Sequence, residues 1–171
     1  MTVPGLAAWL ARRGLGAAEL EQARGRVARV RAGVDRPPEE ELGARGFAVV
    51  EGNLGVPGAL VRARVDLDRR RVVLDPEGVE DLARRGVGPA RACVLAHELF
   101  HVLDPGCPAR LAELAAHLFA TEALGLEVFA GAADLPRPAG SPAGSEGAGR
   151  GGAGPFPERG AGEGVSKGGI A

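Results

Sequence analysis

Residues 97–101 read His-Glu-Leu-Phe-His. On a helix, His97 and His101 lie one turn apart on one face. Two imidazoles at that spacing can hold one Zn²⁺ at about 2.0–2.1 Å. Glu98 points about 100° away around the same helix, beside a metal rather than onto it. A general base for a metal-activated water belongs there. The chain has three histidines, and two of them are in this pentapeptide. The plainer alternative is a helix with two half-buried histidines and no metal.

A catalytic zinc usually has three protein ligands and a water, so a third must be found. Segment 108–124 is apolar nearly all round, through Leu111, Leu114, Ala115, Leu118, Phe119 and Ala120. Such a helix is buried. Glu113 and His117 interrupt it four residues apart, on one stripe. Each needs a partner, because desolvating a lone charge or imidazole is unfavourable. The short Asp104–Cys107 loop predicts that this helix doubles back antiparallel to the motif helix, turning its Glu/His stripe toward His97 and His101. Glu113 is the expected third ligand. His117 has three readings. It hydrogen-bonds a ligand or polarises the substrate carbonyl, which makes it a catalytic residue beside Glu98. Alternatively it replaces Glu113 as ligand, or it is a core histidine paired with Glu113 and no metal. Asp104, on the histidine face, either orients an imidazole or simply ends the helix. Cys93, one turn before His97, is a thiolate candidate or, more simply, a small buried hydrophobe. Cys107, before Pro108, reads as structural.

The elements that must position these residues are legible in outline. Residues 5–13 and 17–32 carry helical apolar spacing (Leu6, Trp9 and Leu10; Leu20, Ala23, Val27 and Val30), with Gly14 and Gly16 between them. Arg36-Pro37-Pro38 breaks the pattern, and 39–42 suits a short turn of helix. Phe47–Glu51 reads as a strand. Leu60–Asp66 alternates, with Val61, Ala63 and Val65 on one face. Arg71–Asp75 returns, and the polar 66–70 between them predicts a hairpin. Pro76 opens a helix to about Arg85. Pro89 opens the motif helix, which runs to Asp104. Helices, a small antiparallel sheet and then helices make the expected class α+β.

The domain reading is an N-terminal helical segment at 1–35, a main domain at 36–130 and a Gly/Pro-rich tail at 131–171. The tail is expected to be disordered, because it lacks the large apolar residues that would offset its ordering entropy. Charge is near balance, with 21 basic and 22 acidic residues. That gives no global electrostatic case for nucleic acid or an acidic membrane. Arg12, Arg13, Arg24, Arg26, Arg29 and Arg31 cluster near the start and read as a solvated helical face. Two cysteines make no disulfide framework. The start carries no secretory pattern and no stretch approaches a membrane span. The expected location is cytoplasmic.

The motif in its context resembles a known family. Val94-Leu-Ala-His97-Glu98-Leu-Phe100-His101 is similar to the active-site helix of ImmA/IrrE-type zinc metallopeptidases, which often reads V-L-A-H-E-L-G-H. Glu113-Leu-Ala-Ala116-His117-Leu-Phe119-Ala120-Thr-Glu-Ala-Leu124 resembles their next helix, and the hairpin ending at Asp75 fits the small sheet that precedes the motif. The resemblance covers about residues 44–126. Phe100 stands where the family usually has Gly, and Ala115 stands in the register of a characteristic second Glu. The Glu113-x-x-x-His117 spacing is also similar to the Glu-x-x-x-Asp of gluzincins, whose second residue supports a zinc-binding histidine. The resemblance implies a zincin-like fold and zinc-dependent peptide hydrolysis. It implies a protein or peptide partner as substrate, a regulatory protein such as a repressor among them. A non-catalytic zinc-binding module, its channel closed by Phe100 or its metal closed by a fourth ligand (Cys93, His117 or Asp104), is the rival expectation.

Overall fold

The computed structural model describes residues 3–55 and 61–135. Helices α1 (Leu6–Arg13), α2 (Ala17–Arg31) and α3 (Pro38–Ala44) come first. Strands β1 (Ala48–Glu51), β2 (Ala63–Asp66) and β3 (Arg71–Leu74) follow, then α4 (Pro76–Arg84), α5 (Ala90–Leu103) and α6 (Ala109–Ala123). A 3₁₀ helix, Ala130–Asp134, ends the described fold. The class is mixed α+β, with six α-helices and three strands among the described residues.

Local chemistry accounts for the boundaries. Gly14, at φ +63°, closes α1 in the left-handed conformation that glycine tolerates. Asp75 caps α4, accepting from the N–H groups of Glu77 and Gly78, and Pro76 occupies the first turn. The second oxygen of Asp75 accepts from Leu54 N–H at 2.8 Å, so one side chain fixes both a helix start and a loop.

The sheet order is β1-β3-β2. Strands β2 and β3 form the expected hairpin, pairing Ala63 with Leu74 and Asp66 with Arg71. Strand β1 runs parallel to β3, with Ala48 beside Arg71. The sheet is therefore mixed, a correction to the antiparallel expectation. A hairpin is local, whereas the β1 pairing joins segments separated by the whole hairpin, so alternation along the strands gave no sign of it. Central β3 buries Val72 and Leu74. Strand β2 is left as an edge.

Trp9, Ala23 and Val27 of the first two helices enter the same core as Leu95, Leu99 and Phe119. The expected N-terminal segment thus completes the core, and α2 lies against α6. Residues 131–134, expected to begin the tail, instead form most of the 3₁₀ helix, with Gly131 and Ala133 buried. Its small side chains let it lie tightly on α1 and α6, which composition alone could not reveal. Residues 136–171 of that segment lie outside the described residues, as does Leu60. No helix among the described residues is long and apolar enough to cross a membrane.

Candidate metal centre

Helix α5 is buried on most of its circumference, from Cys93 to Ala96 and from Glu98 to Phe100. His97 and His101 occupy the strip that faces a cleft of about 460 Å³ between α5, α6 and β2. Helix α6 returns antiparallel: His101 meets Glu113 near its start, and His97 meets His117 one turn later. The expected stripe does face the histidine pair.

Three donors converge. His97 Nε2 and His101 Nε2 are 3.2 Å apart. Glu113 lies 3.5 Å from His97 Nε2 and 3.6 Å from His101 Nε2 through its two carboxylate oxygens. Donors about 2.0–2.1 Å from a tetrahedral ion sit about 3.3 Å from one another. The three separations match that spacing, so His97, His101 and Glu113 could hold a metal ion. Their protonation also suits one. Burial, followed by His117 and His101, drives His97 well below its ordinary range. Burial likewise lowers His101, against the opposing pull of Glu113. Both imidazoles are neutral at pH 7, with lone pairs free to ligate.

Glu98 is buried beside this group and lines the same cleft. Burial, reinforced by the charge of Glu113, pushes its carboxyl up to about 7, while the backbone N–H of Val65 donates to it and pulls the other way. That N–H belongs to the free edge of β2. Asp75 N–H donates to Arg62 O at 2.9 Å, so Arg62, Arg64 and Asp66 turn their backbone groups to β3. Antiparallel ladders alternate, and Ala63 and Val65 therefore point theirs into the cleft.

His117 is held elsewhere. Its Nε2 lies 3.1 Å from Asp134 Oδ2, and its ring packs 4.5 Å from that of His97. It does not join the three converging donors. Its Nε2 is engaged by Asp134, while the ring still lines the cleft. Its place is behind His97. Asp134 Oδ1 accepts from Arg62 Nη1 at 2.6 Å. Burial raises the Asp134 carboxyl, but His117 and Arg62 outweigh it and hold the group well below the carboxylate range. Gly131 makes the approach possible. A Cβ there would sit 2.6 Å from Phe129 Cε1, 2.9 Å from Trp9 Nε1 and 3.1 Å from His117 Cδ2.

Asp104 orients no imidazole: it pairs with Arg26 at 2.7 Å and ties the end of α5 to α2. Arg26 thus leaves the expected solvated face. Cys93 is a free, buried thiol pushed up to about 11 by burial, an inert neighbour rather than a thiolate. Phe100 is fully buried against Phe119 and does not line the cleft, so it closes no channel. Sequence reasoning missed Asp134 and Arg62. The available signal was a single charged residue, Asp134, in the otherwise uncharged run 128–136.

No protein-family model matches this chain, and comparison with curated proteins and with solved structures finds no match either.

Proposed function

We propose that this protein is a zinc-dependent peptidase of the kind its motif resembles, with a zincin-like arrangement of α5, α6 and the edge strand. One observation carries the reading: His97, His101 and Glu113 converge at tetrahedral ligand spacing beside a buried carboxyl. Zinc bound there would supply Lewis acidity to a water and to the scissile carbonyl. Glu98 takes a proton from the water and delivers it to the leaving amine. Its burial beside the three donors places it where both transfers are needed. An extended peptide lies along β2 and pairs with the outward backbone groups of Ala63 and the carbonyl of Val65. The substrate is then a protein or peptide with an unfolded segment, a regulatory protein among the candidates. Two unpaired cysteines favour the cytoplasm as its compartment.

The rival reading, a closed structural zinc module, needs a fourth ligand. Asp104 is engaged by Arg26, Cys93 is a buried thiol and His117 is engaged by Asp134, which favours an open site.

The test is metal content by elemental mass spectrometry, with peptide hydrolysis measured alongside. Wild type should carry about one zinc per chain and Glu113→Ala much less. Glu98→Gln should keep its zinc and lose hydrolysis, by at least about 100-fold. Wild-type cleavage by Glu98→Gln would reject this mechanism. Metal-free wild type, even after zinc is supplied, would reject the site.

A further inference from the structure

Four residues after Glu113, on the same stripe of α6, stands a second side chain able to bind metal. The His117 ring already touches that of His97, with centroids 4.5 Å apart, and it lines the same cleft. Imidazole is a good zinc ligand, and a fourth protein ligand would turn an open site into a closed structural one. Something must therefore keep this imidazole out of the donor set. We propose that Asp134 is a positioning residue that holds His117 off the metal centre and so keeps one coordination position open.

Its placement suits that task. One carboxylate oxygen engages His117 Nε2 at 3.1 Å, and in this arrangement neither ring nitrogen joins the donor group of His97, His101 and Glu113. The other is fixed by Arg62 at 2.6 Å. Arg62 is itself anchored, with Asp81 of α4 at 3.6 Å. Neither oxygen of Asp134 is thus free to let the imidazole turn. The ring is also wedged edge-on by Trp9, at 5.6 Å and 77°, and by Phe129, at 5.8 Å and 67°. Removing the carboxylate would leave a buried ring nitrogen unpaired, and such a group reorients to find a partner. The donor group of His97, His101 and Glu113 lines the same cleft as this ring.

This inference rests on the metal reading above, and the experiment separates the two. Cobalt(II) is substituted into the full chain, and its visible spectrum reports both binding and coordination. Acetohydroxamate, a small chelator, then probes the open position. Wild type should bind one cobalt and show a spectral change on adding acetohydroxamate. Asp134→Ala removes both oxygens. It should bind cobalt at least as tightly, show an altered spectrum, and take acetohydroxamate about tenfold or more weakly. Asp134→Ala combined with His117→Gln should recover wild-type acetohydroxamate binding, which a merely structural role for Asp134 would not give. His117→Gln alone tests the arrangement without touching Asp134, and should keep both the cobalt and the acetohydroxamate response. Unchanged acetohydroxamate affinity in Asp134→Ala would overturn the proposal, as would loss of cobalt in His117→Gln, which would make His117 a ligand. A wild type that binds no cobalt would overturn the metal reading first.

Discussion

Glu98 shows how a functional demand conflicts with stability at a single residue. Its carboxyl, pushed up to about 7 by burial and by Glu113, holds its proton more tightly folded than at its ordinary value of 4.5 unfolded. Ionising it as pH rises from about 4.5 to about 7 therefore removes stability, and above 7 that loss is complete. Glutamine cannot ionise. In metal-stripped protein, Glu98→Gln should gain on wild type as pH rises, from near parity at pH 4 to roughly 3 kcal/mol at pH 8. Urea unfolding at the two pH values checks this, and an equal gap at both would remove burial as the cause. At this scale much of the site was legible. Helical arithmetic alone brings His97, His101 and Glu113 onto facing stripes, and their donor atoms do converge. Asp104 was not legible, because the partner that decides its role, Arg26, lies 78 residues away in sequence.

Among the elements, β2 matters most to the cleft. Among the described residues it pairs only with β3, and the groups it turns outward are those of Ala63 and Val65. Val65 N–H is already given to Glu98, so Ala63 carries the N–H left for a peptide backbone. Ala63→Pro removes that donor at a position on an edge, where proline is tolerated. It should lower kcat/KM for peptide hydrolysis about three- to tenfold, chiefly through KM, with little change in melting temperature. Steady-state kinetics and a thermal melt together check it, and unchanged kcat/KM would mean that peptides bind elsewhere. The hairpin itself was evident from alternation in 61–65 and 71–75 around a polar turn. Which of its strands became the edge was not evident, since β1 chooses β3 through a parallel pairing with no local signature. The 3₁₀ helix escaped notice for a related reason. Ala130-Gly-Ala-Ala-Asp134 has neither a helical stripe nor bulky side chains, and its order comes from what it packs on.

For the molecule as a whole, the end of the described fold is a brace. Arg62 reaches Asp134 and Asp81, Arg85 donates to Ala133 O, and His117 meets Asp134. A chain ending at residue 130 keeps Arg62–Asp81 but loses the other three, and leaves Arg85 and the buried His117 ring without those partners. It should melt roughly 10 °C below a chain ending at residue 135, a difference of about 3 kcal/mol. Calorimetry on the two decides it, and equal melting temperatures would show that the brace contributes nothing. The same brace gives the order of synthesis a chemical meaning. A ribosome delivers His97, His101, Glu113 and His117 before it delivers Asp134. Until then the growing chain lacks the carboxylate that, on the proposal above, holds His117 off the metal centre. A metal captured early would meet a chelator, and one captured late would meet an open site. When the metal is loaded, and not only which residues bind it, would then set the coordination number.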